Sequence, residues 1–159
     1  MRRQAGFTLI ELLTVISMGA ILAMIAVPSY SSFVQNAQRT QISTDLYLAL
    51  TSARYEAITR NDNVVMEQLS GSWQNGWQVF ENQSGNGQLA SGQAPLLIGS
   101  PLNSQFTLSG YGGTQILFQP SGRALAPADF YLCANTPAKS SHISVQLSGS
   151  ISLHDMTDF

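Results

Sequence analysis

Apolar residues form one unbroken run near the start of the chain. Residues 7–27 read FTLIELLTVISMGAILAMIAV, and Glu11 is the only charged residue among them. As a helix rising about 1.5 Å per residue, the run would extend about 31 Å, which matches a hydrocarbon core of about 30 Å. The pattern therefore predicts a transmembrane helix rather than a helix buried in a protein core.

After Pro28 the pattern stays helical, and no Gly or further Pro occurs from Ser29 to Thr59. Apolar residues recur at intervals of three and four, which predicts a stripe that packs against a sheet. The stripe consists of Ile42, Leu46, Ala49, Leu50, Ala53 and Ala57. The charged residues Arg39, Asp45, Arg54, Glu56 and Arg60 are expected away from the stripe. Arg60 is expected in the last turn, with a stop at residues 61–63.

From residue 64 the pattern changes to short runs rich in β-branched and aromatic residues, separated by Gly, Ser, Asn and Pro. Strands are predicted at 64–69, 77–81, 96–98, 106–108, 115–119, 130–133, 142–147 and 151–153. Residues 82–88 are expected to form a loop, residues 120–123 a turn, and residues 148–150 a hairpin turn. In the last hairpin, Ile143, Val145 and Leu147 are expected to share one strand face. The predicted fold class is α+β: a long N-terminal helix, half transmembrane and half amphipathic, packed on a small antiparallel β-sheet or sandwich domain.

Composition narrows the classes of function. Charged residues make up only 10% of the chain and the net charge is −2, which disfavours a strongly basic nucleic-acid-binding protein. The single cysteine, Cys133, excludes an intrachain disulfide and is expected to be buried as a small hydrophobic residue. The chain has only two histidines, His142 and His154, so it offers few of the usual metal ligands. Neither a metal nor a cofactor is therefore expected.

Flanking charges predict how the N-terminal segment is oriented. Arg2 and Arg3 precede the apolar run, and the next Lys or Arg is Arg39. The positive-inside rule then places the N-terminus in the cytoplasm and the rest of the chain across the membrane. A secretory signal peptide also begins with basic residues and an apolar run. Here, however, the residues after the small residues Ala23 and Ala26 continue the helix.

The carboxylate of Glu11 is costly in hydrocarbon, by about 2.5–3.5 kcal/mol on insertion scales. Nothing else in the segment can neutralise it, so its partner is expected on another subunit. Cleavage between Gly6 and Phe7 would create an α-amino group at the head of the helix. Pairing that amine with Glu11 of a neighbouring subunit would satisfy both charges and fix the stagger between subunits.

The segment Arg2-Arg3-Gln4-Ala5-Gly6 followed by Phe7-Thr8-Leu9-Ile10-Glu11 resembles the prepilin leader of type IV pilins and type II secretion pseudopilins. The resemblance implies that a prepilin peptidase cuts after Gly6 and N-methylates Phe7, and that Glu11 guides assembly. Gly19 and Pro28 match family positions at which the helix loosens in assembled filaments. Pro28 lacks a backbone N–H and is also expected to kink the helix.

Four motifs in the rest of the chain resemble the GspH/FimT pseudopilin family. They are Ser52-Ala53-Arg54-Tyr55-Glu56-Ala57-Ile58 with Arg60-Asn61, Trp73 with Gly76-Trp77-Gln78-Val79-Phe80, Ile116-Leu117-Phe118-Gln119-Pro120-Ser121-Gly122, and Phe130-Tyr131-Leu132-Cys133. Residues 64–67 lack the second cysteine of some relatives, and residues 82–112 carry no motif of the family. The resemblance implies a non-catalytic minor pilin or pseudopilin with an assembly, tip or priming role. It leaves the type IV pilus and the type II secretion pseudopilus open.

The patterns and the family resemblance together imply four segments: a leader peptide at 1–6, a transmembrane and assembly segment at 7–28, an amphipathic continuation at 29–61, and a periplasmic β-rich domain at 62–159. The implied location is the inner membrane, in a single pass, before incorporation into a filament. The implied partners are other pilins or pseudopilins through the N-terminal helix, the prepilin peptidase and the inner-membrane assembly platform.

Two other classes of function compete with this interpretation. Some relatives bind DNA for natural transformation through a basic C-terminal hairpin, but residues 145–153 contain no Lys or Arg, and phosphate binding needs cations. After Arg60, the only Lys or Arg residues are Arg123 and Lys139, so DNA is an unlikely partner. A membrane-anchored periplasmic enzyme needs a nucleophile with its base, or clustered acids. Neither motif is present, and Trp73 and Trp77 are expected in the core rather than on a ligand platform.

Overall fold

The computed structural model describes residues 7–134 and 140–156, without the side chains of residues 26–29. The chain divides into two compact units, one ending at Gln35 and the other beginning at Asn36. Helix α1 (Leu9–Arg60) contributes to both units. Gly6, the basic leader residues and Lys139 lie outside the described residues.

In the N-terminal unit, α1 presents only exposed side chains over residues 9–25. It is the one helix of the described residues that is long and apolar enough to cross a membrane. The helix includes Gly19 and Pro28, so neither residue ends it. A kink at Pro28 and loosening of the helix in a filament stay predictions.

In the second unit, the predicted apolar stripe of α1 is confirmed. Five of its members are at most 1% exposed, and Ile42 packs against them. The predicted stop is also confirmed, because α1 ends at Arg60 and Asn61 adopts φ 54°. The N–H of Asp62 then donates to the carbonyl of Ala57 at 3.2 Å, as in helix ends capped by a left-handed residue.

The strands form two antiparallel four-stranded sheets. The first sheet has the order β3-β2-β1-β5, with β1 (Val64–Gln68), β2 (Trp77–Glu81), β3 (Leu97–Ile98) and β5 (Gln115–Phe118). The second has the order β4-β6-β7-β8, with β4 (Phe106–Tyr111), β6 (Ala128–Ala134), β7 (Ser140–Val145) and β8 (Ile151–Met156). Each of the eight predicted strands therefore exists, and the α+β class is confirmed.

Two predictions about strand faces are wrong. Strand β7 ends at Val145, and the turn to β8 begins at Gln146, whose carbonyl accepts from the N–H of Gly149 at 2.8 Å. Leu147 therefore lies in the turn and is 48% exposed. Cys133 is also exposed, because alternation along β6 turns its neighbour Leu132 inward and Cys133 outward.

The hydrophobic core belongs to the second unit, and the earliest of its buried members is Leu46. Trp73, in a short 3₁₀ helix (Trp73–Asn75), meets Phe130 edge to face with ring centroids 4.9 Å apart. Trp77 is 3% exposed, so the expected core role of both tryptophans is confirmed. Since the core is complete without the N-terminal unit, a fragment beginning near residue 29 retains every buried core contact of the described residues.

Candidate functional site

Phe7 and Glu11, the described residues of the predicted processing and assembly site, are both exposed. Glu11 lies in the first turn of α1, and its backbone N–H donates to Oγ1 of Thr8 at 3.3 Å. Threonine before a helix and glutamate three residues later form the capping-box pattern. The Thr-x-x-Glu spacing in the sequence signals this cap, which was not predicted, and the observed hydrogen bond assigns it to the hydroxyl of Thr8. An acidic side chain in a first helical turn also interacts favourably with the helix dipole.

Arg39 is buried beside the C-terminal hairpin, contrary to expectation. It is 3% exposed, and its Nη1 donates to Oδ1 of Asp155 on β8 at 2.9 Å. The same atom donates to the carbonyl of Ser140 at 3.2 Å and to the hydroxyl of Ser141. The expectation that Arg39 falls off the buried face is therefore wrong. This guanidinium joins α1 to the C-terminal hairpin and is not available to a polyanion.

The other cations of the second unit also have partners, with one exception. Arg54 Nε donates to the carbonyl of Gly122 at 2.9 Å. Arg60 contacts Glu56 at 2.6 Å and Glu81 at 3.8 Å, and its hydrogen bond to Glu56 raises the pKa of Arg60. Arg123, the last residue of the predicted turn, is exposed. Among the described residues, Arg123 is thus the one exposed cation of this unit whose side chain makes no ion pair or hydrogen bond.

A polar and aromatic cluster lies on the outward face of β4, β6 and β7. His142 Nε2 is 2.8 Å from Oδ1 of Asp129, and the imidazole stacks on Tyr131 with centroids 4.6 Å apart. Tyr111 meets Tyr131 edge to face at 5.8 Å. No Ser or Cys hydroxyl or thiol of the described residues hydrogen bonds to His142. The described side chains also include no group of three His, Cys, Asp or Glu residues that could hold a metal ion.

Two family models match the sequence. The model described as type II transport protein GspH matches residues 43–149, and the prokaryotic N-terminal methylation motif matches residues 1–27. Among curated relatives, the type IV major alpha-pilin of Moraxella bovis is 37% identical over 75 residues, which are 47% of this chain and 47% of that protein. A fimbrial protein of Pseudomonas aeruginosa is 32% identical over 107 residues, covering 57% of this chain and 69% of that protein. The chain thus spans about half the length of the Moraxella pilin.

Solved structures share the fold. The type IV minor pilin FimU of Pseudomonas aeruginosa aligns with TM-score 0.60 and 22% identity over 77% of this chain and 92% of FimU. The minor pseudopilin EpsH of the Vibrio cholerae type 2 secretion system aligns with TM-score 0.59 and 15% identity over 74% of this chain and 96% of EpsH. At these identities the likeness concerns the fold.

Proposed function

The chain belongs to the family described as type II transport protein GspH, and we propose that it is a minor pilin or pseudopilin. In this role it is a non-catalytic structural subunit of a type IV pilus or of a type II secretion pseudopilus. Such a subunit takes part in assembly, in priming or at the tip of the filament. The match to the N-terminal methylation motif over residues 1–27 joins this role to the apolar helix.

The observation that carries the proposal is the contrast between the two units. The apolar side chains of residues 7–25 are all exposed, whereas the second unit has a complete core of its own. Exposure of so long an apolar surface to water is unfavourable, so this part of the helix must be covered either by lipid or by the helices of other subunits. In a filament subunit, lipid covers this surface while the chain is in the membrane, and the helices of other subunits cover it after assembly.

The proposal assigns a role to each of four segments. Residues 1–6 form the leader that the prepilin peptidase removes, and residues 7–28 anchor the chain in the inner membrane. Residues 29–61 continue the helix, and residues 62–159 form the periplasmic domain. Other pilins or pseudopilins and the inner-membrane assembly platform are the partners, with Glu11 as the assembly residue.

Processing gives the first test. We expect intact-mass analysis of the membrane-extracted protein to give the mass of residues 7–159 plus one methyl group, because the basic leader directly precedes the apolar helix. The same mass should be recovered, in small amounts, from filaments sheared off the cell. A chain that still begins at Met1, or one cut after Ala26, would exclude processing between Gly6 and Phe7.

The alternative function, DNA binding, is disfavoured by the net negative charge of the chain. After cleavage, five Lys and Arg face nine Asp and Glu, so the formal charge falls from −2 to −4. With Arg39 held by Asp155, few cations remain to release counterions from a polyanion. We therefore expect a fragment beginning at residue 29 not to retard duplex DNA at about 0.15 M salt.

Gel-shift titrations across salt concentrations test that expectation. Micromolar binding that weakens steeply with salt would contradict it. If such binding also disappeared in a variant combining Arg123→Ala with Lys139→Ala, it would favour the DNA-uptake function.

A further inference from the structure

A groove in the second unit lies between α1 and the segment that begins at β3. One wall is a single face of the helix, since its members are spaced by three and four residues. The groove is lined by Gln38, Gln41, Ile42, Asp45, Leu48 and Ala49 on the helix, by residues 97–103 opposite, and by Trp77. Leu48 is 52% exposed and Ile98 is 64% exposed, so both groove walls offer large apolar side chains to a partner.

Two polar atoms of this groove are buried without a hydrogen-bond partner among the described residues. They are the indole Nε1 of Trp77, a donor, and the side-chain Oε1 of Gln38, an acceptor. Buried polar groups in native proteins are nearly always paired. Trp73 shows the usual arrangement, because its Nε1 donates to the carbonyl of Gly113 at 3.3 Å. The groove thus combines apolar walls with one unused donor and one unused acceptor.

Backbone contacts hold the wall opposite the helix in place. The N–H of Gly99 donates to the carbonyl of Trp77 at 2.7 Å, and the N–H of Leu102 donates to the carbonyl of Gln74 at 3.0 Å. A Cβ at Gly99 would lie only 2.5 Å from Nε1 of Trp77. Gly99 therefore packs directly against the indole of Trp77, an approach that any residue with a Cβ would prevent.

We propose that this groove binds an extended peptide segment of another protein, with an apolar side chain followed by a basic one. Each peptide unit carries one N–H donor and one carbonyl acceptor, which is the set that Gln38 and Trp77 leave unused. The apolar side chain packs between Leu48 and Ile98. Asp45 carries the only charge among the lining residues, and it attracts the basic side chain. The proposal does not depend on the role of the chain in a filament.

The two indole N–H groups provide an internal control for the test. The ¹⁵N-labelled full chain in lipid nanodiscs is titrated with N-acetyl-leucyl-lysine amide, and the two tryptophan side-chain resonances are followed by NMR. We expect the Trp77 resonance to move to saturation and the Trp73 resonance, which is already hydrogen bonded, to stay. The proposal is wrong if neither resonance moves, if both move alike, or if hexanol shifts Trp77 as much as the peptide does.

Charge and location need controls of their own. N-acetyl-leucyl-glutamate amide should shift Trp77 less than the lysine peptide at the same concentration, and an equal shift would contradict the role of Asp45. Leu48→Arg places a cation in the groove beside Asp45 and should weaken lysine-peptide binding about tenfold. Tyr55→Arg is the matched variant, because Tyr55 is 64% exposed on the same helix and does not line the groove. Equal affinities for the two variants would place the binding elsewhere.

Discussion

Asp155→Ala should lower the free energy of unfolding of a fragment beginning at residue 29 by about 2–3 kcal/mol, because it leaves the buried guanidinium of Arg39 without its anion. Removal of one partner of a fully buried pair costs about 3–5 kcal/mol. The expected loss is smaller here because the side chain of Asp155 is 61% exposed, and water already screens part of the attraction. Ser141 and the carbonyl of Ser140 still accept from Arg39 in the variant.

Urea unfolding followed by the fluorescence of the buried tryptophans measures this effect. Asp45→Ala is the matched control, since Asp45 is an exposed acid on α1 without an ion pair among the described residues, and it should change stability by less than about 0.5 kcal/mol. Adding Arg39→Met to Asp155→Ala should recover most of the loss, because no buried charge remains to be paired. Equal stabilities of the two single variants would show that the ion pair contributes nothing.

Local patterns were sufficient to predict the long helix and the eight strands, but not the short 3₁₀ helix Trp73–Asn75. Burial on one face of a helix imposes spacings of three and four, and alternation with turn residues marks short strands, so both signals are present in contiguous sequence. The stripe from Ile42 to Ala57 and all eight strands were found in this way. The errors concerned which face of a strand a residue occupies. Cys133 was expected to be buried, but it follows the inward-facing Leu132 on β6, and because side chains alternate along a strand it points outward.

Arg39 and the groove illustrate what local patterns could not provide. Arg39 is seven residues before Leu46, which puts it nearly in line with the apolar stripe, so its burial could have been inferred. Its partner Asp155 is 116 residues away in the sequence, and no sequence pattern predicts that the two residues pair. The groove likewise needs β3 and residues after it, from a region without a family motif, to lie beside a helix face. Such juxtapositions depend on the topology of the two sheets.

Replacement of Glu11 should have the largest effect on assembly. If its carboxylate pairs with the Phe7 amine of a neighbouring subunit, four residues earlier on a helix, the pairing sets an axial offset of about 6 Å. Glu11→Ala should therefore reduce incorporation into sheared filaments at least about tenfold, while insertion into the membrane persists or improves by removal of a cost of about 2.5–3.5 kcal/mol. Immunoblots of the filament and membrane fractions measure both quantities.

The effect of the cap at the start of α1 must be separated from the effect of the Glu11 charge. Glu11→Gln preserves the capping-box residue type and removes the charge, so it should fail to assemble as Glu11→Ala does. Thr8→Ala removes the cap, at a cost of about 1 kcal/mol to the helix, but keeps the carboxylate and should still assemble. Normal incorporation of Glu11→Gln would show that the carboxylate has no assembly role. If only Thr8→Ala lost incorporation, assembly would depend on the capped start of the helix and not on a charge pair.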